Sequence, residues 1–235
     1  MNTPQTLSRV LVWDLPTRLF HWLLAASFAG AWLTAESERW MDVHVMLGYT
    51  MLLLVAFRIA WGFAGTRHAR FSSFAYGPRD VMAYVKSMAT LRAPHFTGHN
   101  PAGSWAILGL IALAVVVTAT GIATFNDAGG HWLEELHEGA ATAMLLLVLV
   151  HIAGVLVGSL LHRENLVTSM VTGRKAGSAQ DAIGTPRRVV AALLLVALAG
   201  VWSGAVPLPG LDRPIQLTAI KGDAAHLRHA RKDHD

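Results

Sequence analysis

The stretch from His137 to Leu161, HEGAATAMLLLVLVHIAGVLVGSLL, decides the fold class of this 235-residue chain. From Gly139 onward it contains no charged residue, and about 20 apolar residues are enough for a helix to cross the hydrocarbon core of a bilayer. His137 and His151 are 14 residues apart, close to four helical turns, so they share nearly one face at a separation of about 21 Å. The stretch therefore predicts a transmembrane helix that carries two polar side chains at different depths.

Four other segments have a similar apolar composition, so five membrane spans are expected. The segments cover residues 19–35, 43–63, 105–125 and 189–206, and the stretch 137–161 is the fourth span in chain order. The chain is 53% hydrophobic and only 14% charged, whereas soluble domains carry about 25% charged residues. The first span lacks a small-residue cleavage site, so we expect a retained helix rather than a signal peptide. The composition therefore predicts an all-α membrane protein.

In the loops between the expected spans and in the segment before the first span, basic residues lie almost entirely on one side. Five more lie in the C-terminal tail and count against the fifth span without overturning it: Arg213, Lys221, Arg228, Arg231 and Lys232. Cytoplasmic loops are enriched in Lys and Arg, so the N-terminus is expected in the cytoplasm and, after five spans, the C-terminus in the periplasm. The two loops on the opposite side contain Arg39 as their single basic residue. The cytoplasmic segments contain twelve: Arg9, Arg18, Arg67, Arg70, Arg79, Lys86, Arg92, Arg163, Arg174, Lys175, Arg187 and Arg188.

The net charge of +4 is therefore mostly an orientation signal, and no nucleic-acid partner is expected. The chain contains no cysteine, which excludes disulfides, thiolate metal sites, cysteine-held iron–sulfur clusters and covalent attachment of haem. Any redox chemistry of this chain must then use another ligand.

Four histidines lie inside or at the edges of the spans, where polar side chains are costly and usually functional. His21 lies near the cytoplasmic start of span one, and His44 lies at the outer start of span two. Span four enters from the outer side, so His137 is expected at the depth of His44 and His151 at the depth of His21. The sequence therefore predicts two histidine pairs, one above the other across the bilayer.

A pair of neutral imidazoles on facing helices can hold a haem iron from both sides without covalent attachment. Both axial positions are then filled, so electron transfer is the chemistry that remains. A single such histidine could equally be an interior hydrogen-bonding residue or an interfacial anchor, but four at matched depths favour ligands. The remaining histidines are assigned to loops and helix ends. Three histidines in the C-terminal tail, called the tail group, could bind a metal, although their spacing matches no recognised site. The tail group is His226, His229 and His234.

Several short motifs, taken in order, resemble the bacterial cytochrome b561 and nickel–iron hydrogenase b-type cytochrome family. The resemblance covers about residues 10–175 and implies a four-helix transmembrane bundle that binds two haem b groups. Residues 176–235 then form a linker, a fifth C-terminal transmembrane helix and a polar tail. The motifs are Arg18-Leu19-Phe20-His21-Trp22, His44-x-x-x-Gly48, Arg58-x-x-Trp61, Gly98-His99-Asn100-Pro101-Ala102-Gly103, His137, His151 and His162-Arg163-x-Asn165-Leu166 through Gly173-Arg174-Lys175.

The resemblance also implies a role for each histidine pair. His21 and His151 would ligate the cytoplasmic-side haem, and His44 and His137 the outer haem. The chain would act in the bacterial inner membrane as an electron-transfer cytochrome or a quinol-linked oxidoreductase subunit. It would pass electrons between quinone or quinol and a redox partner such as a c-type cytochrome or a hydrogenase.

Arg58 is the one fully charged residue of span two, 14 residues past His44, and is expected at the level of the cytoplasmic-side haem. There its guanidinium could pair with a haem propionate or a quinone headgroup, or it could extend to the interface.

Two other functions stay open at this stage. A histidine-lined metal or proton transporter would need carboxylates beside the histidines, and Glu138 is the one candidate. The second of these functions is that of a membrane anchor for a catalytic subunit, in which the haems only hold the helices together. The amphipathic segment 78–91 is expected either at the lipid interface or packed on the loops.

Overall fold

The computed structural model describes residues 8–209, and within this range the chain forms seven α-helices and two short β-strands. The tail histidines and the rest of the expected polar tail lie outside the described residues. The strands are β1 (Ser8–Leu11) and β2 (Arg174–Gly177). The helices are α1 (Leu15–Thr34), α2 (Met41–Ala64), α3 (Pro78–Ala89), α4 (Pro101–Phe125), α5 (His131–His162), α6 (Leu166–Thr172) and α7 (Arg188–Trp202).

Polar caps and prolines set where the long helices begin. The Asp14 carboxylate accepts a hydrogen bond from the backbone N–H of Thr17 at 2.8 Å, and Pro16 lies in the first turn of α1. Asn100 caps α4 in the same way through the backbone N–H of Gly103 at 2.7 Å. A side-chain oxygen at this position satisfies a backbone donor that has no partner within the helix.

Three of the described helices are long and apolar enough to cross a membrane. They are α2 with the short turn before it (Glu38–Ala64), α4 (Pro101–Phe125) and α5 (His131–His162). Helix α1 has 20 residues, but Arg18 and His21 lower its mean hydropathy. Helix α7 is a shorter apolar helix of 15 residues. The mostly helical, apolar chain confirms the expected all-α membrane architecture.

The bundle is open along one side. Helix α1 packs along α2, α2 along α4, and α4 along α5. In the part of the chain that the structure describes, α5 makes no comparable contact with α1 or α2. The backbone of α5 therefore stands off from the α1–α2 pair, and a buried cluster of side chains that includes Phe28, Met51 and Met144 crosses the cleft between them. These helices carry the four histidines.

Helix α7 packs against both α1 and α2. Leu194 and Leu198 are buried with Phe20 and Leu54 in one hydrophobic cluster. The indole N–H of Trp202 donates to the hydroxyl of Thr50 at 3.0 Å. The helix ends four residues before the expected boundary at 206, because the chain turns at Gly204, where φ is +73°.

The two strands close one end of the bundle, which we call the collar end. Strand β1 precedes α1 and pairs antiparallel with β2, which follows α5 and α6, so that Arg9 lies opposite Ala176. The backbone N–H groups of Val12 and Trp13 both donate to the carbonyl of Gly173. The first and last segments of the haem-binding region that the resemblance implies are therefore joined directly.

Asp14 connects the segment after β1, at the collar end, to the helices. One of its carboxylate oxygens caps α1, and the other accepts from the Trp61 indole at 3.1 Å and the Thr66 hydroxyl at 2.6 Å. The side chain is buried, and a buried carboxylate is stable only when its oxygens are hydrogen-bonded. Asp14 thereby fixes the start of α1 against the end of α2.

Helix α3 combines features of both arrangements expected for it. Tyr84 is buried, with its ring 5.6 Å from that of Phe96. Met82 and Val85 are exposed, beside the basic residues Arg79 and Lys86 on the same helix. One side of α3 therefore packs on a loop, and the neighbouring apolar side faces outward.

Candidate functional site

The first histidine pair joins α2 to α5. The ring centres of His44 and His137 are 6.2 Å apart. His44 Nδ1 lies 2.9 Å from the carbonyl of Ala31, and His137 Nδ1 lies 2.9 Å from the carbonyl of Val117. A carbonyl can only accept, so each Nδ1 carries the proton and donates, which leaves each Nε2 free to bind a metal.

The second pair joins α1 to α5 near the collar end. The ring centres of His21 and His151 are 6.5 Å apart, and the planes of the two rings are inclined by 55°. The ring of Trp22 lies edge-on to that of His21 at 4.9 Å. The structure thus brings together both pairs that the sequence predicted by depth.

These separations fit one metal ion between each pair. Nitrogen–metal bonds of about 2 Å on both sides of an ion place two imidazole centres about 6 Å apart. Direct hydrogen bonding or stacking would bring the rings closer. At both levels the histidine side chains, rather than the helix backbones, bring α5 close to α1 and α2.

Glycines line the space around the ligands. Gly48 follows His44 by about one turn and Gly154 follows His151 by about one turn, and a Cβ added at either glycine would meet no atom within 4 Å. Gly121 differs, because a Cβ there would lie 2.7 Å from Cε1 of His137. The first two glycines leave open space next to the ligands, and the third allows a ring to lie against the backbone of α4.

Unpartnered polar atoms mark the collar end of the cleft. Of the five buried side-chain N or O atoms without a hydrogen-bond partner in the described residues, four lie in α1 or in the loop before α4. A group with several acceptor oxygens, such as the propionates of a haem, would supply partners for nitrogen and hydroxyl donors here. The four atoms are Thr17 Oγ1, Arg18 Nε, His21 Nδ1 and His99 Nδ1.

Arg58 is buried at the same end, with only 2% of its surface exposed. Its Nη1 donates to the carbonyl of Ala69 at 3.1 Å, and its guanidinium lies 5.0 Å from the centre of the Phe71 ring and 5.9 Å from that of Phe74. An arginine held between aromatic faces keeps further N–H donors for an anion. The expected pairing with a propionate or a quinone headgroup stays a prediction.

His99 is a site residue that sequence reasoning assigned to a loop. Its ring lies 4.6 Å from the rings of both Trp13 and Phe74. Burial, together with the nearby charges of Arg58 and Lys175, lowers the pKa of His99 to about 3. The sequence signal that could have identified His99 is the motif at the start of α4, because His99 directly precedes the capping residue Asn100.

A polar cavity of about 330 Å³ opens beside His99. Asp181 lies at its wall, where its carboxylate approaches the Arg67 guanidinium at 3.8 Å and its backbone carbonyl lies 2.8 Å from His68 Nε2. The hydroxyl of Ser178 is the main cause of a lowered pKa at Asp181. The cavity therefore places polar and charged side chains next to His99 at the collar end.

Comparisons with known proteins identify the family of this chain. Residues 12–173 match the family model of prokaryotic cytochrome b561. A probable Ni/Fe-hydrogenase B-type cytochrome subunit from Azotobacter vinelandii is 25% identical over 70% of this chain and 87% of the relative. A protein of the same description from Bradyrhizobium diazoefficiens is 22% identical over 71% of this chain and 85% of the relative. No solved structure matches the chain significantly.

Proposed function

Because this chain belongs to the prokaryotic cytochrome b561 family, we propose that it carries electrons across the bacterial inner membrane through two bis-histidine haems. Membership makes it an integral membrane b-type cytochrome that acts in electron transfer, with haem b as the cofactor. The number of haems, the residues that hold them, the quinone and the redox partner are the parts that we propose.

The two matched histidine pairs carry the proposal. His44 with His137 would hold one haem, and His21 with His151 the other, because both ring separations suit a shared ion and both pairs border the open cleft. A haem with two imidazole ligands supplies one-electron redox chemistry at an iron that has no open position. The protein's own contribution is to fix the imidazoles of His44 and His137 through the carbonyls of Ala31 and Val117 and to surround the bundle interior with apolar side chains.

The distribution of charge supports the orientation. The collar end carries the basic residues of β2 and of the loops around α3, and basic loops favour the cytoplasmic side. We therefore place the N-terminus in the cytoplasm, α1, α2, α4 and α5 as the four spans of the bundle, and α7 as a fifth. With an odd number of spans the C-terminus lies in the periplasm.

The proposed partners follow from this placement. Quinone or quinol would exchange electrons with one haem, and a periplasmic or membrane protein would exchange them with the other. The relatives described as hydrogenase subunits make a hydrogenase a candidate, and a c-type cytochrome is the alternative. Arg58 would meet a haem propionate or the quinone headgroup at the collar end.

Haem quantitation on the purified protein tests the central proposal. We expect a low-spin haem b signal in the reduced-minus-oxidised spectrum and about two haems per chain. His44→Ala and His21→Ala should each remove about one haem, since each breaks one pair. The matched control is His131→Ala, because His131 is an exposed histidine on α5 outside both pairs. Absence of haem b from the wild-type protein would overturn the proposal.

A second measurement tests the role of quinone. Adding a quinol analogue to the oxidised protein should reduce both haems in the wild type. In His21→Ala the haem held by His44 and His137 should be reduced more slowly if quinol reacts at the collar end. Equal reduction kinetics in the wild type and in this variant would place the quinol reaction elsewhere.

A further inference from the structure

Three side chains lie midway between the histidine pairs on their own helices. Phe28 follows His21 by seven residues, and Met51 follows His44 by seven. Met144 lies seven residues from each of the two histidines of α5. Seven residues are close to two helical turns, so each side chain lies on nearly the face that carries its histidine.

The same three side chains are buried in one hydrophobic cluster. Met51 is 1% exposed and Met144 is 2% exposed. Helix α4 completes the cluster with Ala114 and Val117, so all four helices of the proposed haem-binding bundle contribute. The cluster therefore joins side chains of all four helices into one packed apolar layer between the two levels of histidines.

Polar groups next to this cluster are already engaged within their own helices. The hydroxyl of Thr118 donates to the carbonyl of Ala114 at 2.8 Å, and that of Thr50 donates to the carbonyl of Met46 at 2.8 Å. Neither hydroxyl has its proton free to begin a chain of hydrogen bonds toward the other end of the bundle.

We propose that Phe28, Met51 and Met144 form a septum that stops water and protons from crossing the bundle while electrons pass between the two haems. The inference rests on the proposed function, because it assumes a haem on each side. Protons move through proteins along waters and hydrogen-bonding groups, and a closely packed apolar interior holds neither. An electron that oxidises one haem and reduces the other needs no such chain.

The physical consequence concerns charge separation. An electron that crosses the membrane without a proton leaves a voltage across the bilayer. A water-filled path beside the haems would let protons dissipate that voltage. The septum therefore allows electron transfer by this chain to contribute to a membrane potential.

The test measures proton leak in vesicles that contain the haem-loaded protein. Pyranine trapped inside the vesicles reports internal pH, and valinomycin with a potassium gradient imposes the voltage. We expect Met144→Gln to raise the leak rate about ten-fold over the wild type, because the amide would form hydrogen bonds with water inside the septum. Met51→Gln is a second variant on another helix and should act in the same direction.

Leu146→Gln is the matched control. Leu146 lies two residues beyond Met144 and is 59% exposed, so the same amide would point away from the septum. We expect its leak rate to equal that of the wild type.

The result separates the two proposals. Equal leak rates for Met144→Gln, Met51→Gln and Leu146→Gln, in proteins that contain two haems, would overturn the septum and leave the haem proposal intact. Absence of haem from the wild type would overturn the proposed function before any leak is measured.

Discussion

The ring of His137 lies directly against the backbone of Gly121, with 2.7 Å between Cε1 of the ring and the position that a Cβ would occupy. Helix α4 supplies no ligand of its own, yet it determines where a ligand of α5 can lie. Its carbonyl at Val117 orients the same ring through Nδ1. The position of the haem proposed for this pair would thus depend on a helix that supplies no proposed ligand.

Gly121→Val should remove the haem held by His44 and His137 and leave the other in place. The added side chain would displace the His137 ring, so haem content should fall from about two to about one per chain. Gly109→Ala is the control, because a Cβ there meets only the end of the flexible Leu147 side chain at 2.9 Å. Two haems in Gly121→Val would show that the ring tolerates another position.

Asp14→Ala should destabilise the protein by about 2–4 kcal/mol. The change removes the cap of α1 and leaves the Trp61 indole and the Thr66 hydroxyl without their acceptor. Thermal unfolding, followed by loss of the haem absorption, measures the effect. Glu36→Ala, at an exposed position in the turn after α1, should shift the midpoint little. Equal midpoints for the two variants would contradict a structural role for Asp14.

Unfolding should become easier as the pH falls below about 6.5. The pKa of His99 is about 3 in the folded protein because the ring is buried, whereas an unfolded histidine titrates near 6.5. The unfolded chain therefore binds a proton first, and stability present above pH 6.5 is lost progressively toward pH 3.

The loss by pH 5 should reach about 2 kcal/mol. His99→Phe should flatten the dependence of the unfolding midpoint on pH between 7.5 and 5. The exposed histidine variant His131→Ala should retain the slope of the wild type. An unchanged slope in His99→Phe would assign the acid sensitivity to another group.

Leu194→Ala should loosen α7 from the bundle and lower stability by about 1–3 kcal/mol. The residue is buried against Phe20 and Leu54, so its loss leaves a cavity between helices. Leu195→Ala changes the next residue, which is exposed, and should have little effect. Equal unfolding midpoints for the two variants in the same detergent would show that α7 adds no packing energy.

The pairing of the four histidines could be expected from the sequence because helix periodicity fixes both face and depth. A spacing of 14 residues on α5 sets two levels, and the entry side of each span assigns His21 and His44 to one level each. The structure brings together the rings that this arithmetic pairs.

Other contacts could not be expected, because they join residues distant in the chain through side-chain geometry rather than periodicity. The strand Ser8–Leu11 has no strong β pattern, and its partner lies after α6. The Asp14 carboxylate was identifiable as a helix start, but its bonds to Trp61 and Thr66 depend on how α2 ends. The burial of His99 depends in the same way on Trp13 and Phe74.

The pairing of β1 with β2 sets the order of events during synthesis. Strand β1 leaves the ribosome first, but its partner is made only after α5 and α6. At about 10 residues per second, the ribosome takes about 17 seconds to pass from β1 to β2. The two strands can therefore pair only after the helix that carries His137 and His151 has been synthesised.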